Sequence, residues 1–199
     1  MDNLIMKKSL QVINGDNPLQ TAHWINTHQL GNLLLVETLG KEHKVVTELI
    51  IQLALRGSFN LVAGDEWLPD RDTLYRSVRR YTVKVAEALD RPNIKRPMTC
   101  LQMLDLLMET DMQNKPTLIL NFLYHFYNAD FELYLRDHKL EQCCQYLKNL
   151  SLSNSVVVLV PRLFTEEYQR FFPILTAIAT EIISVEETLA IAASQDLLF

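Results

Sequence analysis

The stretch Asn32-Leu33-Leu34-Leu35-Val36-Glu37, running on through Thr38-Leu39-Gly40-Lys41-Glu42-His43-Lys44-Val45, decides the fold. The unbroken apolar run from Leu33 to Val36 is what a strand covered on both faces shows, because neither side of its pleat meets water. Beyond the loop, Val45, Leu49, Ile50, Leu53 and Ala54 fall at helical spacing, and Gly57 ends that helix. A buried strand, a short loop and an amphipathic helix are the opening of a strand–helix–strand unit.

The alternation continues in both directions. Before it, Leu10–Ile13 reads as a short strand closed by a turn at Asn14–Pro18, and Leu19–Leu30 as a short helix stopped at Gly31. After it come a strand at Phe59–Ala63 and a helix over Asp70–Leu89 carrying Leu74, Val78, Tyr81, Val85 and Leu89. Pro92–Pro97 is a connector with a short strand. Thr99 and Gln102 make a capping-box pattern that opens a helix at Cys100–Met108. Thr117–Leu123 reads as a third core strand, Phe131–Leu150 as a long helix and Ser155–Val160 as a fourth strand. A helix over Thr165–Thr180 has a kink or a late start at Pro173. Ile182–Glu186 and Thr188–Ala192 read as two strands of a C-terminal β-hairpin. The prediction is one α/β domain over residues 1–199, with a mainly parallel sheet and helices on both faces.

Composition agrees and narrows the function classes. The 199 residues are 48% hydrophobic and 22% charged, with a formal net charge of −5. That excludes wholesale disorder and a polybasic mode of nucleic-acid binding. MDNLIMKKSLQV lacks the apolar core of a signal peptide, and apolar runs such as Val156–Val160 fall far short of a membrane span. Cys100, Cys143 and Cys144 have no metal-binding or disulfide spacing, which suits reduced thiols. The expectation is a cytoplasmic protein, nuclear if eukaryotic, with no membrane partner. His23 and His28 are not spaced as metal ligands, so no metal is expected.

In an open α/β sheet, ligands bind beyond the carboxyl ends of the strands, so the loops after Glu37, Ala63, Leu123 and Val160 are where chemistry belongs. The loop Thr38–Val45 lies where a phosphate-binding GxxxxGK[ST] loop sits. Phe59–Leu74 (FNLVAGDEWLPDRDTL), with Trp67-Leu68-Pro69-Asp70-Arg71 at its centre, is followed by Ile94–Leu107 (IKRPMTCLQMLDLL), Pro116–Leu123 and Val156–Leu163 (VVVLVPRL). In order and spacing these segments resemble the ATPase core of the RecA/RadA recombinase superfamily, including its recombinase-paralogue branch, over roughly residues 10–165. The resemblance implies a RecA-like fold with ATP and Mg²⁺ as the family's ligands.

The departures from that pattern decide the expected function. Laid on the family's phosphate loop, Thr38 replaces the first glycine, His43 the second, and Val45 the hydroxyl residue that holds Mg²⁺; Lys44 alone survives. Side chains at Thr38 and His43 crowd a nest of backbone N–H groups, and Val45 offers a hard cation no oxygen. Asn121 stands at the Walker B carboxylate, and Arg162 at the glutamine that senses nucleotide state. The family's water-activating glutamate falls near Gly64, with Asp65 and Glu66 displaced from it. Lys44 and Asn121 are therefore vestigial cofactor positions, with no catalytic residue and no cofactor expected.

Arg76, Arg79, Arg80 and Lys84 share one face of the Asp70–Leu89 helix, the one concentrated positive region and the candidate nucleic-acid contact. The family's DNA-binding loops are replaced by the aromatic Tyr124–Asp130 and by Pro161–Phe164, suited to base stacking or to packing on a partner. The leading expectation is a non-catalytic RecA-like interaction protein, an accessory or scaffold factor in DNA recombination or repair, that associates with itself or a protein partner. Two alternatives stay open: an ATPase with a phosphate site remodelled on Lys41, Lys44, Asp65 and Glu66, and a nucleic-acid-binding module without nucleotide chemistry.

Overall fold

A computed structural model describes residues 10–14, 32–39, 43–109, 112, 115–127 and 131–186. Seven strands form one sheet: β1 (Leu10–Asn14), β2 (Leu33–Thr38), β3 (Phe59–Val62), β4 (Pro92–Lys95), β5 (Thr117–Leu120), β6 (Val156–Pro161) and β7 (Glu181–Glu186). Their order is β1-β7-β2-β6-β5-β3-β4, and every neighbouring pair is parallel. Among the described residues six α-helices accompany them: α1 (His43–Arg56), α2 (Arg71–Val78), α3 (Val85–Leu89), α4 (Cys100–Met108), α5 (Leu133–Ser153) and α6 (Glu166–Ile178).

Side-chain alternation along β2 feeds two cores. Leu34 and Val36 pack with Val45, Val46, Leu49 and Ile50 of α1 on one face. Leu33 and Leu35 join Met103, Leu140, Leu147 and Phe171 of α4, α5 and α6 on the other. Leu33, Leu34 and Leu35 are all fully buried, each contributing about 1.5–3 kcal/mol of transfer free energy. That double coverage is why the strand reads as a solid apolar run.

Local signals set the helix ends. Thr99 Oγ1 accepts from the Gln102 N–H at 3.2 Å, and Gln102 Oε1 reaches back to the Met98 N–H at 2.7 Å, one residue before the box position. Asp70 caps α2 by accepting from the Thr73 N–H at 2.8 Å. Thr165 caps α6 in the same way, so this helix starts at its cap and runs through Pro173.

Three expectations are corrected. The helix over Asp70–Leu89 is two helices: α2 stops at Val78, a turn follows, and α3 starts at Val85. The β-branched Thr82 and Val83 disfavour helix, and Thr82 Oγ1 takes the Lys84 N–H at 3.1 Å, giving the backbone another partner. Strand β5 ends at Leu120, because Asn121 adopts the left-handed conformation (φ 54°, ψ 45°) and turns the chain into a 3₁₀ helix over Phe122–Phe126. Both edges of β7 are taken by its parallel neighbours β1 and β2, so it has no edge left for a hairpin partner. The second expected hairpin strand, Thr188–Ala192, and the expected helix Leu19–Leu30 lie outside the described residues.

Candidate functional site

The chain leaves β2 through α1 toward β3, and leaves β6 through α6 toward β7 on the opposite side. Since β2 and β6 are neighbours, their carboxyl ends flank the point where the winding reverses, the place where such sheets open a ligand crevice. Thr38 and Pro161 face each other there, and the Arg162 N–H donates to the Thr38 carbonyl at 2.6 Å.

A polar cluster fills that place. Glu37 closes the apolar run of β2 with a carboxylate only 10% exposed. Its Oε2 accepts from Arg162 Nη2 at 2.5 Å and from Ser184 Oγ at 3.3 Å, while Oε1 accepts from the Tyr168 hydroxyl at 2.5 Å. Arg162 Nη2 also donates to Ser184 Oγ at 2.9 Å. Four elements converge: β2, the loop after β6, α6 and β7. Tyr168 is further held by stacking on Phe172, ring centroids 4.9 Å apart.

The charges are matched. Burial by itself pushes the Glu37 carboxyl up, but the hydrogen bonds from Arg162, Tyr168 and Ser184, with the Arg162 charge, outweigh it and hold the group below the usual carboxylate range. Tyr168 moves the other way, raised by burial and by donating to the Glu37 carboxylate. A carboxylate has about four lone-pair sites, and three donors already converge on this one. The cluster answers its own charge and stands closed at the crevice.

Of the expected positions, Thr38 borders the cluster, its carbonyl accepting from the Arg162 N–H. Thr38 and Val45 are buried, at 1% and 2% exposure, and Val45 packs into the apolar core beside Leu49 instead of lining a crevice. Lys44 is exposed on the first turn of α1. Asn121 is buried and is the one non-glycine residue with positive φ among the described residues; its side chain makes no cap hydrogen bond. Glu66 is exposed on a 3₁₀ turn after β3. Lys41 and the side chains of His43 and Asp65 lie outside the described residues.

The positive region is rearranged with its helix. Arg76 stands in the last turn of α2, Arg79 and Arg80 on the exposed turn after it, and Lys84 at the start of α3, where it pairs with Glu87 at 3.4 Å. The four cations therefore fan around a turn, not along one helix face. Arg76 Nε is spent on the Asp72 carbonyl.

The aromatic loops also divide differently. Phe122 and Phe126 are core residues with ring centroids 5.2 Å apart, and Tyr127 stacks on Phe171 at 6.1 Å. What projects from the carboxyl edge is one apolar side chain per loop: Leu39 after β2, Phe164 after β6, Tyr124 after β5 and Met98 after β4, at 47%, 89%, 55% and 77% exposure. Because β2, β6 and β5 are adjacent, the first three stand on strands about 4.8 Å apart.

The sequence named Arg162 for its place but not its partner. The signal was an acidic residue ending an all-apolar strand, which requires a cation or donors wherever it is buried. Among the described residues no group of three or more His, Cys, Asp or Glu side chains could hold a metal, and no helix is long and apolar enough to cross a membrane. Neither a scan against protein-family models nor a search of curated proteins gives a match for this chain.

Proposed function

We propose that this chain is a non-catalytic interaction module: a RecA-like α/β domain whose nucleotide crevice is closed from within, serving as an accessory or scaffold factor in DNA recombination or repair. The observation that carries the reading is the Arg162–Glu37 pair at 2.5 Å, which spends the cation and the acid at the winding reversal on each other. Phosphoryl transfer rests on positioned cations and a metal that neutralise developing charge. Here Arg162 is neutralised by Glu37, Val45 is core, and Asn121 is a neutral amide. The apolar side chains Leu39, Phe164 and Tyr124 supply the contact surface, since exposed aromatics on adjacent loops are the kind of anchor that interfaces use.

Calorimetric titration with ATP and Mg²⁺, with Lys44→Ala as control, tests the closed crevice. No heat of binding at millimolar nucleotide is expected; micromolar binding that Lys44→Ala removes would revive the remodelled-ATPase reading. The interaction half is tested by light scattering against concentration: Phe164→Ser with Tyr124→Ser should abolish self-association without lowering the melting temperature. A chain that is monomeric at every concentration moves the search to a different protein partner or to single-stranded DNA.

A further inference from the structure

A cavity of about 190 Å³ lies beside the last turn of α1, at the amino ends of β2, β6 and β5. Leu34 and Val157, register partners on β2 and β6, line it together with Leu53 of α1 and Pro116. Leu34 is the second residue of β2 and Glu37 the fifth, about 10 Å farther along the strand. The cavity therefore stands at the opposite end of the sheet from the Glu37 cluster.

Its size and lining set what it can hold. Protein interiors leave few voids larger than a water molecule, because each void forfeits dispersion contacts. An engineered cavity of about 150 Å³, lined by Leu, Ile and Phe, takes up benzene. Most of the lining here is likewise carbon. The turn Arg56-Gly57-Ser58 borders the cavity, and a side chain at Gly57 would meet no atom within 4 Å of its Cβ.

The polar groups on the lining point to one kind of head group. Arg56, Ser58 and Ser155 all border the cavity, and neither serine hydroxyl has a hydrogen-bond partner among the described residues. The Thr117 hydroxyl, also on the lining, is spent on the Lys115 carbonyl at 3.3 Å. Burial lowers Arg56 from its ordinary value, since its charge is partly removed from water. The carbonyls that end α1 would repel an anion, but they are already answered. Arg91 Nη1 donates to the Ala54 and Leu55 carbonyls at 2.6 and 3.2 Å, and the Gly57 N–H to Leu53 at 3.2 Å.

We propose that this cavity binds a small carboxylic acid with a branched or aromatic carbon skeleton, the skeleton among Leu34, Leu53, Pro116 and Val157 and the carboxylate on Arg56, Ser58 and Ser155. An apolar body with a few polar groups is the ordinary make-up of a ligand site. A guanidinium matches a carboxylate in shape and charge, and its five N–H donors let it keep other bonds at the same time. The site does not depend on the interaction-module reading.

The test is thermal unfolding of the full chain with rising benzoate or isovalerate at fixed pH and ionic strength. A ligand that binds only the folded state raises the melting temperature in a saturable way. Benzyl alcohol keeps the ring without the charge, and acetate the charge without the skeleton. A saturable rise is expected with at least one of the two acids, a weaker one with benzyl alcohol and none with acetate. Arg56→Gln should weaken the acid by about tenfold, the worth of one charge-assisted hydrogen bond, and leave the alcohol unchanged. Leu53→Phe, which fills the space, should remove every response. Where Leu53→Phe does not fold, methyl NMR of the wild-type chain decides: the Leu34, Leu53 and Val157 methyl resonances should shift together on adding the acid. No saturable response to either acid, or methyl shifts confined to other residues, overturns the proposal. So does acid binding that Arg56→Gln leaves unchanged, because the carboxylate would then be held elsewhere.

Discussion

Arg162 and Glu37 stand 125 residues apart in the chain and 2.5 Å apart in the fold. Neither belongs to the other's strand, helix or loop; the adjacency of β6 and β2 brings them together. Removing one partner leaves the other charged and desolvated, the costliest way to break a buried pair. Arg162→Met should lower stability by about 3 kcal/mol, toward the low end for such pairs, because its side chain remains 32% exposed. Adding Glu37→Gln should recover part of that loss, since a buried amide needs no counter-ion. Urea unfolding of the two single variants and the double variant measures the coupling; strict additivity would show that the pair is not the unit.

Acid should unfold this domain in two separable stages. Burial lowers His125 from its ordinary 6.5 to about 4, with the Met98 backbone opposing that shift. Between those values the unfolded chain binds a proton that the folded chain refuses, so stability falls as pH drops from 6.5 toward 4, by about 3 kcal/mol at most. Glu37 acts lower: its folded value lies below its ordinary one, so its contribution is present above about 4.5 and lost as pH falls through the folded value. His125→Gln should flatten the first stage and Glu37→Gln the second, read from chemical unfolding at each pH.

Asn121 should tolerate glycine and resist a β-branched residue. At φ 54° a Cβ costs roughly 1–2 kcal/mol, which asparagine partly evades and glycine wholly does. Asn121→Gly is expected within 1 kcal/mol of wild type, roughly, and Asn121→Val at least that much less stable. Asn121→Asp should gain no ATP hydrolysis, because Val45 and Arg162 remain as they are.

The thiols should be silent until the fold opens. Cys100, Cys143 and Cys144 are free and buried, and burial raises all three, Cys144 to about 12, so little thiolate exists near neutrality. A chromogenic disulfide reagent should titrate none of them in the native protein and three in denaturant. Fast labelling of one under native conditions would place it in a locally opening segment.

Strands were the legible part of this sequence, and for one reason. A strand covered on both faces is dominated by apolar residues and keeps a polar one only with a partner, so Leu33–Val36 and Val156–Val160 stand out as unbroken apolar runs. The same signal overreached at β5: Phe122 and Leu123 are as buried as Leu120, yet they pack from a 3₁₀ turn, and only Asn121 marks the change. The break between α2 and α3 was hidden differently. Val78 and Val85 keep helical spacing across the turn because both ends of the turn point into one small core with Ile51 and Ala88. Glu37 was legible as a strand end but not as a pair, since periodicity carries no information about which strands become neighbours. Arg56 was silent, because an arginine on the last turn of a helix reads as solvated unless its surroundings are known.

The insertion of β7 between β1 and β2 has a consequence in time. Strand β1 is paired to β7, whose residues are made some 170 positions later, roughly ten to thirty seconds on the ribosome. Through that interval the nascent chain carries an early strand whose bonding edge waits for a late one, while β2 to β6 already hold their own cores. An interrupted or shortened product would therefore leave both β1 and one side of β2 open to other chains. Closure of the sheet therefore waits for β7, the latest-made of its described strands.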